Sequence, residues 1–514
     1  MIWDHDPGVW IDVLWFSSAR CNSRPETSAC GGLDLDTFQR ILFGNWIAGH
    51  FTIFNIEVNG FTNIGNASGE TALVYWLGNM FQTSSKFVCL LYLFARLASA
   101  QEFDLLLQGG HVIDGKNRLS AVRDVAVKDG KVALVDARID ASRALKIVDV
   151  KGLYVTPGLI DIHVHVYAGT GERGSYAGDN SIYPDGFTYR VGVTTVADAG
   201  SSGWRNFEDF KERVIDRSKT RVLAFLNIVG HGMRGGRYEQ NLDDMDAKPT
   251  AEMAMKYKNV VVGVKTAHFN GPEWKPVDQA IEAGTLAKIP VMVDFGRAYP
   301  ERSLAELVTK KFRPGDIFTH CFGGARGELI DGKLNPAIFP AQKRGVIFDV
   351  GHGGGSFVLP TAVQAFKEGF YPNSISTDLH IGSMNAGMKD MLNVMSKIMA
   401  LGMSLDDVIV RSTWNPAREI QHEELGHLSV GAIADVAVLR LEKGKFGFVD
   451  QNGGRLDGGQ KFTCELTVRG GKVVYDLNGI TREPWDKMAP GSRGGDPRWD
   501  GFAVPPRIRD GKKQ

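Results

Sequence analysis

From Phe103 onward the chain alternates short apolar runs with glycine- or asparagine-rich breaks, and the rhythm of those runs changes twice. Segments 103–107, 122–127, 131–135 and 146–149 are short and apolar or alternating, with turns such as Asp114-Gly115-Lys116-Asn117 between them. That pattern predicts strands joined by tight turns. The same texture returns at 434–439, 464–469 and 472–475. Two strand-rich pieces, 101–155 and 426–485, therefore predict one small β-sandwich domain assembled from both flanks of a long middle. That middle, 156–425, alternates strand-like and helix-like stretches. Strands are expected at 159–166, 193–198, 222–229, 260–266, 290–295, 317–321, 346–350 and 374–378, with helices between them at 207–217, 277–287, 304–311 and 360–368. Eight strands with interleaved helices over roughly 260 residues predict an α/β fold, a (β/α)8 TIM-like barrel. From 486 to 514 the chain is rich in Gly, Pro and charge, which predicts a flexible tail.

Residues 1–79 have a different texture: they hold five of the ten tryptophans and no sustained helical or strand period. Met80 then opens a short segment with Lys86 as its basic flank, a wholly apolar run over 87–95, and an Ala98-Ser99-Ala100 end. Those are the three parts of a secretory signal peptide. The run is too short for a membrane span, which needs roughly 20 residues. The expectation is a non-native extension at 1–79, a signal peptide at 80–100 and a mature chain starting near Gln101, secreted or periplasmic and free of the membrane after cleavage. A genuine N-terminal domain with an internal core segment is the alternative.

Composition narrows the field without naming a function. Lys+Arg and Asp+Glu both number 59, so no basic field invites nucleic acid. The five cysteines, Cys21, Cys30, Cys89, Cys321 and Cys464, show neither metal-ligand spacing nor a disulfide framework. Homo-oligomer formation is left open.

Chemistry enters with Ile160-Asp161-Ile162-His163-Val164-His165. Strand residues at i and i+2 share a face, so both imidazoles point the same way. Neutral imidazole is the commonest protein ligand for zinc-like metals. The pair closes the first barrel strand, at the end where active sites of this fold lie. Lys265 closes strand four, Asp294 strand five, His320 strand six and Asp378 strand eight. Each alone reads equally as a structural residue. Six at the same end of five strands point to a metal centre, because burying charge without partners or metal is costly.

Several motifs extend the pattern: Val155-Thr156-Pro157-Gly158-Leu159 ahead of the histidine pair, Gly192-Val193-Thr194-Thr195-Val196, Thr413-Trp414-Asn415-Pro416-Ala417, and Gly426-His427-Leu428-Ser429-Val430-Gly431-Ala432-Ile433-Ala434-Asp435. With these the chain resembles the amidohydrolase superfamily from about Phe103 to Trp485. Val264-Lys265, Thr319-His320-Cys321, Phe348-Asp349-Val350-Gly351-His352-Gly353 and Ser376-Thr377-Asp378-Leu379-His380 resemble its dihydroorotase-like or deacetylase-like branch. The resemblance implies two divalent metal ions, taken as zinc. His163, His165 and Asp378 would hold one, Lys265 carboxylated on its amine would bridge, and His320 with the residue ending strand five would hold the other. That last residue departs from the branch pattern: Asp294 stands where histidine is usual, which implies one added negative charge.

The resemblance further implies hydrolysis of an amide or ester carbonyl by metal-activated water, with Asp378 as general base and later acid. Val166-Tyr167-Ala168 follows the histidine pair, where dihydroorotase-type enzymes commonly carry an arginine, which argues against dihydroorotate. A small acylated compound is the expected substrate. A D-aminoacylase-like hydrolase and a non-catalytic barrel scaffold are the alternatives. His231, His268 and His380 lie just past strand ends, and His352 lies in the run Gly351-His352-Gly353-Gly354-Gly355. All four are candidates to orient substrate, or histidines satisfied by hydrogen bonds. Arg234 and Arg237 could bind a carboxylate or face solvent.

Overall fold

A computed structural model describes residues 101–489 and 495–502. The expected extension at 1–79 and the signal peptide at 80–100 lie outside the described residues. Among the described residues no helix is long and apolar enough to cross a membrane.

Both flanks of the chain meet in one eight-stranded mixed sheet. Its order is Lys472–Asp476, Arg455–Arg469, Val436–Val449, Tyr154–Pro157, Phe103–Asp114, Leu119–Lys128 and Lys131–Asp136, with Ala144–Asp149 also paired to Phe103–Asp114. Leu105 faces Val127 and Leu107 faces Val125 across the first hairpin. These residues join Val155, Val436, Val438, Leu466 and Val468 in one buried cluster, as a period of two along each strand requires. The two ends of the sheet close on each other through Ala434, whose N–H donates to Gly130 and whose carbonyl accepts from Gly471. The tail expectation is corrected in part: Trp499 is buried in this core, and Asp500 pairs with Arg482.

The middle forms a parallel sheet of seven strands in chain order: Leu159–Val164, Val193–Gly203, Arg221–Asn227, Val261–Thr266, Val291–Val293, Ile317–Phe318 and Ile347–Phe348. The eighth segment, expected as a strand at 374–378, closes the barrel through isolated bridges, Asp349 with Ser374 and Val164 with Leu379, and scattered backbone hydrogen bonds rather than as a regular strand. Its irregularity has a local cause. Ser374 and Ser376 donate to Asp349, Thr377 donates to Asp161, and Asp378 takes a left-handed φ of 51°. Side-chain hydrogen bonds thus compete with the ladder.

Helices expected at 277–287 and 360–368 appear as Lys275–Ala287 and Leu359–Lys367. Those expected at 207–217 and 304–311 open as single turns and widen into π-helical stretches, Lys211–Ile215 and Leu307–Lys311.

One part of the β domain reaches the barrel mouth. The long hairpin Val436–Val449/Arg455–Arg469 packs along the helix Met391–Ala400, where Phe462 N–H donates to Ser396. At its tip Asp450 accepts from Leu359 N–H, and Gln451 N–H donates to Phe357. It therefore braces the loop that follows the seventh strand.

Candidate metal centre

The first strand delivers His163 and His165 to the mouth, and the turn after the eighth segment delivers Asp378. One ligand atom from each lies within 4.8 Å of the others, and all three residues are buried. Asp378 Oδ1 is 3.0 Å from His165 Nε2 and 3.7 Å from His163 Nε2, yet it accepts no hydrogen bond. A buried carboxylate oxygen without a donor is costly. Lone pairs aimed at a common point are what a shared cation requires.

Hydrogen bonds behind the rings fix their orientation. Thr319 donates to Asp349 at 2.8 Å, so its oxygen is left to accept from His163 Nδ1 at 2.9 Å. His320 Nδ1 donates to the Gly351 carbonyl at 2.5 Å, and His165 Nδ1 meets Ser201 Oγ at 2.9 Å. Each partner turns an Nε2 toward the centre. Burial, with the Lys265 charge, pushes His163 down to about 3, which keeps it a neutral ligand. Burial opposes ionisation of Asp378, but His380 and His165 beside it hold the carboxyl well below its usual range.

Lys265 is buried at the end of strand four, its Nζ 3.1 Å from His163 Nε2. Burial pushes it down to about 8, so a neutral amine is accessible near neutral pH. Asp294 Oδ2 lies 3.5 Å from His320 Nε2. Ligands ~2.1 Å from a tetrahedral ion lie about 3.4 Å apart, so this pair also fits a cation. His268, His320 and Asp378 all hold positive φ, near 61°, 61° and 51°. Such strain costs about 1–3 kcal/mol per residue and collects at functional sites.

A cavity of about 570 Å³ opens over these groups, lined by His163, His165, Lys265, Asp294, His320 and Asp378 and walled by Tyr176, His268 and Arg326. That size suits a small molecule. Of the four histidines expected to orient substrate, His268 lines the cavity, with Nδ1 against Glu239 and its ring stacked on Tyr176. His380 sits beside Asp378, Nε2 to Oδ2 at 3.8 Å, and caps the following helix through Nδ1.

His380 is itself a correction, since it does not line the cavity, and so are the other two. His231 is not among the cavity-lining residues and packs its ring against Tyr238. His352 is buried under Phe357 and bonded to Lys397, because the loop turns its side chain inward. The glycines beside it do approach the site. Gly353 has φ 58°, and a Cβ there would stand 2.6 Å from Asp378 Oδ2. Arg237 pairs with Glu172, and Arg234 lies over Tyr238.

Tyr176, Glu239 and Arg326 were not singled out from the sequence. Tyr176 lies in a loop and Glu239 in the four-residue helix Gly236–Glu239, both too short or irregular to show a period. Arg326 had one available signal: an acid where the pattern has histidine calls for a nearby cation.

A barrel with metal-ligand side chains at its C-terminal strand ends, carried with a β domain from both flanks, is the architecture of a metal-dependent hydrolase. The comparisons specify which kind. No family model matches the sequence. The chain is 34% identical over 349 residues to a protein of Brucella anthropi named deacetylase, covering 66% of this chain and 84% of that one. A solved structure named adenine deaminase superposes with a TM-score of 0.66 at 29% identity, over 73% of this chain and all of its own. One named dihydroorotase gives 0.64 at 30%, over 72% of this chain and 99% of its own. The chain belongs to the amidohydrolase superfamily and is a metal-dependent hydrolase of that type.

Proposed function

We propose that the chain is a two-metal deacetylase that cleaves the amide or ester bond of a small acylated acid. His163, His165 and Asp378 hold one divalent ion. His320, Asp294 and Lys265, the last carboxylated on its amine, would hold the second, and zinc suits this nitrogen and oxygen donor set. The observation that carries the reading is the unsatisfied Asp378 Oδ1 facing two Nε2 atoms in the buried centre. When bound, such ions bring the pKa of water toward neutrality and polarise a carbonyl oxygen.

The protein's own groups do the rest. Asp378, kept ionised by its histidine neighbours, takes the proton of the attacking water and returns it to the leaving group. His380, held by its helix cap, stands beside Asp378 Oδ2 and steadies the carboxylate between those two transfers. Burial disfavours the His268 cation, but the Glu239 carboxylate at Nδ1 outweighs it and raises the pKa. The protonated ring, stacked on Tyr176 in the cavity wall, offers its Nε2–H to a substrate oxygen. The relatives named deacetylase support an acyl substrate.

The test is metal content of the purified chain, measured beside a panel of N-acyl and O-acyl acids that includes D- and L-amino acid derivatives. Asp378→Asn should remove at least ~10³-fold of turnover with an unchanged circular-dichroism spectrum. A metal-free protein inert on the whole panel, or full activity in the variant, would refute the reading. We further propose export of the mature chain, supported by the basic, apolar and Ala-x-Ala parts of 80–100. N-terminal sequencing of the native protein checks it, and an end near residue 1 would overturn it.

A further inference from the structure

Asp294 is the one position in the centre where an acid replaces an expected histidine, and its surroundings differ in a matching way. Its Oδ1 is fully engaged, accepting from Gly296 N–H at 3.1 Å and from Arg326 Nη2 at 3.1 Å, with Nε of the same guanidinium at 3.4 Å. Its Oδ2 stays on the cavity side, 3.5 Å from His320 Nε2. Arg326 and Asp294 are both nearly enclosed, with side chains 9% and 7% exposed, so their charges meet with little solvent screening.

The loop around Arg326 is shaped to hold it there. The fully buried Glu328 carboxylate accepts from the backbone N–H groups of Gly324 and Arg326 at 2.9 and 2.8 Å. Gly323 supplies the space, since a Cβ there would stand 1.9 Å from Arg326 Nη1. Ser356 gives the guanidinium a further contact at 3.4 Å.

We infer that Arg326 is the charge-compensating, positioning partner of Asp294, and that the pair together replaces one neutral histidine at the second metal position. An aspartate alone would add one negative charge to the donor set. With the arginine attached to the oxygen that does not face the ion, the pair sums to zero, as imidazole does. The same contact pins Oδ1 and leaves Oδ2 to bind. This rests on the two-ion reading above.

The two changes are therefore interdependent. Asp294→His alone strands a buried guanidinium beside the incoming cation. Arg326→Met alone leaves an uncompensated carboxylate whose Oδ1 keeps only the Gly296 N–H. Each single variant should lose the second ion, with affinity down by at least about tenfold, and Asp294→His/Arg326→Met should regain it. Arg326→Lys keeps the charge and should keep both ions. The measurement is ions per chain by mass spectrometry after dialysis against graded zinc, with circular dichroism to confirm folding. Should Arg326→Met not fold, Arg326→Gln makes the same comparison.

Two bound ions in the unsubstituted chain, with either single variant retaining both at unchanged affinity, overturn the inference and leave the two-ion reading standing. One bound ion in the unsubstituted chain removes the two-ion reading, and the inference falls with it. A residue that merely gripped substrate would not restore metal in the double variant.

Discussion

Lys397 donates to Nε2 of His352 at 2.5 Å, and the same ammonium donates to the carbonyls of Gly387 at 3.0 Å and Val449 at 2.7 Å. Its three donors are thus matched to three acceptors on three pieces of chain: the glycine-rich loop, the approach to the helix Met391–Ala400, and the tip of the long β-domain hairpin. His352 completes the clamp by donating through Nδ1 to Gly353 and stacking on Phe357 with an interplanar angle of 3°.

Lys397→Met would leave three buried acceptors unpaired, a loss of about 3 kcal/mol, read by denaturant titration. KM should rise as the cavity wall loosens, while metal content stays. The pH dependence has a definite sign. Burial lowers the folded Lys397 to about 7 from its ordinary 10.5, so between those values the unfolded chain binds more protons. Stability should therefore rise with pH across that window, and the slope should flatten in the variant. Unchanged stability and slope would remove Lys397 from this role.

Gly351 offers a sharper test of how the ligands are held. It has φ 45°, and a Cβ there would stand 2.3 Å from Thr319 Oγ1, 2.9 Å from His320 Nδ1 and 3.1 Å from His163 Nδ1. Gly351→Ala therefore strains the backbone by about 1–3 kcal/mol and displaces the supports of two histidines together. Metal affinity should fall by about 10–100-fold, followed by titration against a chromophoric chelator. Retention of both metal and activity would show that the wall gives way more easily than the geometry implies.

Glu419, at the end of the helix Trp414–Glu419, is buried with Oε2 lacking a partner. Burial, with the Asp349 charge adding to it, pushes the carboxyl up to about 8 from its ordinary 4.5. Between those values the folded chain holds a proton that the unfolded chain has lost, so stability falls as pH rises through the window. Glu419→Gln removes that penalty. It should match the parent at pH 4 and exceed it at pH 8 by a gain on the order of a few kcal/mol, measured by urea unfolding at both pH values. A variant less stable at pH 8 would contradict the buried-acid assignment.

How much of this was legible in the sequence depends on where each side chain gets its direction. His163 and His165 were readable because a strand alternates faces, and Lys265, Asp294, His320 and Asp378 because each closes a strand. His352 and His231 were misplaced because loop backbones, not periodicity, aim them. The eighth barrel segment was readable as a place but not as a regular strand, since its pairing is shared with the buried carboxylates of Asp161 and Asp349. Arg326 lay thirty-two residues from its partner, beyond any local pattern.

Removing the metal should cost stability as well as activity. His163, His165 and Asp378 are each at most 5% exposed, and the unfolded chain has no such preformed cluster to compete for the ion. Binding to the folded state alone contributes RT ln(1 + [M]/Kd), about 4 kcal/mol at a thousandfold excess over Kd. Chelation should therefore abolish hydrolysis and lower the melting temperature, and graded zinc should restore both along one saturation curve. Scanning calorimetry beside the acyl-substrate assay follows the two signals. A melting temperature indifferent to metal, with activity still metal-dependent, would place the ion at an exposed position away from the buried Asp378 cluster.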